Sequence, residues 1–102
     1  MRFLALGSDV DPTFPGRTPE EVAALGRAEA RRAWELFQAG IVREISFRTD
    51  RRASVQVLEA ADEAMARAAL DSLPFVQAGI ITFELIGLRA YDGWARLFAP
   101  ED

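Results

Sequence analysis

Apolar residues along this chain fall into two kinds of run. "RFLALG" (Arg2 to Gly7), "IVREISF" (Ile41 to Phe47), "ASVQVLE" (Ala53 to Glu59) and "IITFELIGL" (Ile80 to Leu88) are short, apolar or alternating, and bounded by turn residues. That is the pattern of β-strands. Two longer segments repeat apolar residues every three or four positions, as amphipathic helices do. The first opens on "TPEE", with Thr18 as N-cap, Pro19 at the first helical position and Glu21 closing a capping box. It predicts a helix to about Ala39, ended by Gly40. The second is capped by Asp62, runs through "EAMARAALDSL" and stops at Pro74. "SDVDPTFPGR" reads as a loop, "RTDRR" as a hairpin turn, "FVQAG" as a connector and "DGWARLF" as a short terminal helix.

The resulting order is β-α-β-β-α-β. It predicts a single α+β domain over residues 1–102, with the ferredoxin-like arrangement of a four-stranded antiparallel sheet carrying both helices on one face. The strands are apolar enough that the other face would be a large exposed patch if left wet. A second copy stacking sheet against sheet, forming a dimeric α/β barrel, is the simplest cover.

Strand alternation divides the side chains between the two faces. Phe3, Ala5, Ile41, Arg43, Ile45, Phe47, Val55, Val57, Ile81, Phe83 and Leu85 are expected under the helices. Leu4, Leu6, Val42, Leu58 and Ile86 go to the dimer side, with a polar strip of Glu44, Ser46, Gln56, Thr82 and Glu84, and Ser54 beside them. On the first helix Val22, Leu25, Gly26, Ala33, Leu36 and Phe37 form one stripe about 120° wide, and Glu29 lies at its centre. An acid on a core-facing stripe is costly unless it is paired, hydrogen-bonded or protonated. Arg43 is the one charge on the helix-facing set that could answer it. Two readings follow. Either Glu29 and Arg43 form a structural pair, or Glu29 lines a cavity as a general base whose pKa burial raises. Phe47, Phe83 and Trp34 are candidate walls for a substrate, while Trp34, Trp94 and Phe98 equally fit plain packing roles.

Composition narrows the chemistry. There is no Cys, His, Lys or Asn, and all twelve basic residues are Arg. Thiolate nucleophiles, imidazole bases and Schiff-base lysines are therefore out. With neither Cys nor His, no metal site is expected. Any acid–base group must be a carboxylate, Tyr91 or water. A net charge of −4 lacks the basic footprint of a nucleic-acid binder. No apolar run approaches the ~20 residues that span a bilayer, and "RFLALG" is too short for a signal peptide, so a cytoplasmic protein without membrane association is the default.

Three stretches resemble the muconolactone isomerase family of dimeric α/β barrels: "EARRAWELFQAGIV" from Glu29, "LEAADEAM" leading into the second helix, and "LPFVQAGIITFELIGL" from Leu73. The likeness covers roughly residues 20 to 90. It implies a cofactor-free enzyme, a homodimer or higher assembly of dimers, and a pocket in each subunit for a small hydrophobic metabolite. The implied reaction is proton shuttling on an unsaturated lactone or enone. Glu29 matches the family's acid position on the first helix; in an enzymatic reading of the residues Arg43 would orient that acid or hold a substrate carboxylate. The alternative is a non-catalytic barrel that binds a metabolite or supports a partner enzyme.

Overall fold

A computed structural model describes residues 1–98 and 100. Four strands, β1 (Arg2–Gly7), β2 (Val42–Phe47), β3 (Ser54–Glu59) and β4 (Phe83–Leu88), form one antiparallel sheet in the order β2-β3-β1-β4. Helix α1 (Pro19–Gln38) lies over the β2 side and α2 (Glu63–Asp71) over β4. The fold is the expected ferredoxin-like one.

Local chemistry starts the helices where the sequence placed them. Thr18 Oγ1 accepts from the Glu21 N–H at 3.2 Å, and an Asp62 carboxylate oxygen accepts from the Met65 N–H at 2.8 Å. Each such cap contributes about 1 kcal/mol. Gly40 takes φ +77° just past α1, the left-handed conformation that releases the chain toward β2 and that side-chain-bearing residues resist. The connector holds one more element. Pro74–Gln77 makes a four-residue helix, α3, because Pro74 pre-sets the φ of a first helical position. The N–H groups of Ile80 and Ile81 then bond back to the Phe75 carbonyl, so β4 starts at Phe83 and not at Ile80. The terminal segment is a 3₁₀ turn, Gly93–Leu97.

The core gathers Phe3, Ala5, Val42 and Leu58 from the sheet with Leu36 of α1 and Leu70 and Leu73 from the α2 end. Polar clamps hold the helices to it. The Arg32 Nε donates to Ser72 Oγ at 2.8 Å, tying α1 to α2, and an Arg67 guanidinium N–H donates to the Phe83 carbonyl at 3.0 Å, tying α2 to β4.

Two face assignments need correction. In the register, Ala5 stands opposite Gln56, Phe3 opposite Leu58, and Ile45 opposite Gln56. Directly paired residues share a face. Ser54, Gln56 and Leu58 therefore lie under the helices, and Val55 and Val57 point the other way. Val42 also joins the core, because a bulge between Val42 and Glu44 shifts β2 by one residue. The open face consequently keeps the expected residues of β1 and β4 and, on β2, Glu44 and Ser46, but exchanges those of β3 and loses Val42. Leu4, Leu6, Val55, Val57 and Ile86 make an apolar middle, half-buried, with exposed Glu44, Ser46 and Glu84 around it. Gln56 leaves the polar strip altogether, and Thr82 lies exposed just before β4.

The last segment leaves the sheet. The radius of gyration is 17.2 Å and the longest extent 69 Å, against ~13 Å expected for a compact chain of this length. Tyr91, Trp94, Leu97 and Phe98 are all exposed, so Trp94 and Phe98 do not pack into the body. Trp94 meets Tyr91 edge-on at 5.2 Å. No helix among the described residues is long and apolar enough to cross a membrane.

Candidate functional site

The stripe on α1 faces the sheet as the helical periodicity requires, yet of the helix's residues only Leu36 is fully buried. The reason is size. Gly26, Ala30 and Ala33 are too small to reach the sheet, and the gap beneath them is a cavity of about 280 Å³. Ile45, Phe47, Ser54 and Gln56 form its floor, and Val10, Phe75 and Ile81 close its sides. Gly7 helps to shape this floor: a Cβ there would come within 2.9 Å of Ser54 Oγ and 3.3 Å of the Phe83 ring. Phe14, from the loop after β1, packs on Phe75 with ring centroids 5.9 Å apart, bracing that wall.

Among the described residues Glu29 is the one charged residue lining this cavity. One carboxylate oxygen accepts the Phe75 N–H at 2.9 Å. Phe75 is in the first turn of α3, so its N–H has no partner within the helix. Burial raises the Glu29 pKa above its ordinary 4.5, and the Phe75 hydrogen bond offsets this in part. A carboxyl pinned by one oxygen, half-buried and facing a largely apolar space, has the chemistry of a proton acceptor more basic than an ordinary carboxylate.

The partner expected for Glu29 is not there. Among the described residues Arg43 forms no ion pair with Glu29 or any other acid. Arg43 is exposed at the β2 bulge, and one of its guanidinium nitrogens lies 3.5 Å from where a Cβ on Gly40 would be. Gly40 is just past the far end of α1, about 16 Å along the helix axis from Glu29 at ~1.5 Å per residue. The bulge shifts the strand register at this residue, which alternation alone does not reveal.

The proposed walls separate likewise. Phe47 lines the cavity and is otherwise exposed, standing at its mouth. Phe83 is buried in the core and is not a lining residue. Trp34 is exposed and stacks on Phe37, centroids 5.6 Å apart, on a shallow ledge outside the cavity. Glu44, Ser46 and Glu84 stay on the open face, away from it. The residue that alternation puts on the wrong face is Gln56, expected on the dimer-side strip and found in the cavity floor. It is 3% exposed, and its Oε1 has no hydrogen-bond partner among the described residues. The available signal was the pairing register of β3, in which Gln56 falls between Ala5 and Ile45.

No protein-family model and no curated protein matches the sequence. Solved structures do match in shape. The crystal structure of muconolactone isomerase superposes with a TM-score of 0.78 at 19% identity, covering 91% of this chain and 93% of that one. A 5-chloro-2-hydroxyhydroquinone dehydrochlorinase from Burkholderia phenoliruptrix AC1100, in complex with 2,5-dihydroxybenzoquinone, superposes with a TM-score of 0.60 at 15% identity, covering 89% and 96%. Over nearly its whole length, this chain has the fold of muconolactone isomerase.

Proposed function

We propose that the protein is a cofactor-free enzyme that moves a proton on a small unsaturated lactone, enone or related ring, in the manner of an isomerase or cyclase. One observation carries the reading: the Glu29 carboxyl, its pKa raised by burial, lies in the wall of a largely apolar cavity of about 280 Å³. At ~30 Å³ per water, that space suits a ligand of about ten non-hydrogen atoms. The isomerase and dehydrochlorinase folds that resemble this chain support the same class of chemistry. Glu29 removes a proton from carbon next to a carbonyl and returns it elsewhere on the conjugated system, so no electrons are gained or lost. Phe75 N–H keeps the carboxyl oriented through both transfers. Arg43 has no part in this scheme.

The working unit is a homodimer. The apolar middle of the open face, ringed by Glu44, Ser46 and Glu84, is the surface a second sheet would bury. The exposed aromatics beyond Leu88 add apolar area for the same assembly or a larger one.

The test is solvent deuterium incorporation into a panel of small butenolides and enones. The wild-type protein is expected to speed exchange of the proton next to the carbonyl, and Glu29→Gln to abolish that exchange. Glutamine keeps an oxygen for the Phe75 N–H, so the fold should survive the change. Exchange at an undiminished rate in Glu29→Gln would rule Glu29 out as the base. A second reading has its own support, since the bond to Phe75 satisfies an N–H that α3 cannot. If Glu29 serves only as that cap in a metabolite-binding barrel, Glu29→Leu loses stability while no variant, nor the wild type, exchanges deuterium.

A further inference from the structure

The floor of the cavity carries an unexplained cost. Gln56 sits on the central strand β3, almost wholly buried, with its Oε1 unpartnered. Buried amide groups are nearly always hydrogen-bonded, because an orphaned one forfeits its solvation without return. That oxygen has no side-chain or backbone partner among the described residues. A hydrophobic residue of the same shape would fill the site more cheaply. The sequence nevertheless puts an amide there, under α1, in the same cavity as Glu29.

The charge of the cavity is the second observation. Among the described residues Glu29, Ser54 and Gln56 are its only polar lining residues, and no Arg is among them. The chain has twelve Arg to offer. Two Arg residues of the nearby hairpin are engaged elsewhere, Arg51 with Asp9 at 2.7 Å and Arg48 with Asp50 at 2.7 Å, both at the surface, and the exposed Arg43 and Arg52 do not line the cavity. A ligand carrying a carboxylate would bring a second negative charge against Glu29 with no guanidinium to balance it.

From these two facts we propose that Gln56 is the polar contact that orients the substrate, and that the substrate is uncharged. This deepens the proton-transfer reading and rests on it for the word substrate. It names the class: a neutral lactone, enone or hydroxyquinone with no carboxylate arm. The amide offers an N–H donor or, after a half-turn about its last bond, a carbonyl acceptor. In the productive arrangement its N–H meets the ligand carbonyl oxygen while the acidic C–H faces Glu29. As the proton leaves, negative charge builds on that oxygen, and a pre-placed donor stabilises it most at that point. Gln56 binds the neutral ligand and supports the enolate with one group. The muconolactone isomerase fold is thus present with a cavity chemically unsuited to an anionic lactone.

The experiment compares two probes that differ by one charge: muconolactone, which carries a free carboxylate at neutral pH, and its methyl ester. Each is titrated into the ¹⁵N-labelled full chain and followed by NMR, with Kd read from the shifts. The ester is expected to bind at least tenfold more tightly than the acid and to move the side-chain amide signals of Gln56. Gln56→Leu should weaken the ester at least tenfold while its thermal midpoint holds or rises, since the orphaned amide is gone. In Glu29→Gln, where the cavity has no charge, the acid should gain affinity and the ester should not. The proposal is overturned if the acid binds as well as the ester, if Gln56→Leu binds the ester normally, or if neither probe binds at millimolar concentration. An ester that binds in the expected way but exchanges no deuterium leaves this assignment standing and removes the proton-transfer reading instead.

Discussion

Replacing Gly26 by Ala should make the protein more stable and a worse binder, and both magnitudes follow from the geometry. Gly26 is inside α1, and glycine in a helix interior costs about 1 kcal/mol relative to alanine. A Cβ at this position meets nothing within 4 Å, and the backbone is not in the left-handed region, so alanine gains its helical advantage without a clash. About 1 kcal/mol corresponds to a rise of roughly 4–8 °C in Tm for a domain near this size. The added methyl, however, enters the cavity. At roughly one water's share, ~30 Å³, it takes about a tenth of the available 280 Å³. One extra carbon in a fitted apolar pocket is worth about 1–3 kcal/mol of discrimination, or ~10- to 200-fold. Thermal melts by circular dichroism and ester titration by NMR measure the two effects on the same sample. A fall in Tm would mean that the space over Gly26 is filled in solution and that the cavity does not exist as described. A rise in Tm with unchanged affinity would put the ligand somewhere else.

The remaining predictions concern pH, assembly and caps. Because burial raises the Glu29 pKa above 4.5, both folded and unfolded chains hold this proton below that value, while between it and the raised folded pKa the native state holds it more tightly. Stability from this group therefore falls as pH rises through that window and is flat above it. Urea midpoints measured from about pH 4 to 8 should show this slope in the wild type and not in Glu29→Gln, and the acid limb of any exchange activity should lie above 4.5. Val57→Arg puts a charge opposite Leu4 in the middle of the open face, so sedimentation velocity should find a monomer where the wild type gives a dimer. A wild-type monomer at tens of micromolar would refute the sheet-on-sheet assembly. Asp62→Ala removes the acceptor for Met65 N–H and should cost about 1 kcal/mol in chemical denaturation without changing ligand affinity.

The elements were readable because they depend on short-range chemistry. Thr18, Pro19, Gly40 and Asp62 act within one turn of where they stand, and each did what its residue type dictates. Glu29 was also legible, since helical periodicity alone put an acid on a core-facing stripe. Its partner was not. Arg43 was assigned by counting alternate residues along β2, and a single bulge at Val42/Glu44 invalidates that count. Strand β3 failed for a different reason. In "SVQVLE" the alternate residues Val55 and Val57 look like the core side, and Gln56 like the outside. Alternation identifies two faces but not which one the helices cover, and here both faces lose water, one to the helices and one to a proposed second sheet.

The sequence by itself determined the order of elements, their capped ends, the ferredoxin-like class and the absence of every acid–base group except carboxylates and one tyrosine. These follow from local propensity and from inventory, neither of which needs distant residues. Only the tertiary structure decided that Glu29 bonds to Phe75 and not to Arg43, that Gln56 lies beneath it unpartnered, and that small residues on α1 leave a cavity between them. Those are matters of register and of distance between elements far apart in the chain. A one-residue shift in a strand reverses every side chain on it, so the pairing of whole strands had to be known before the site could be.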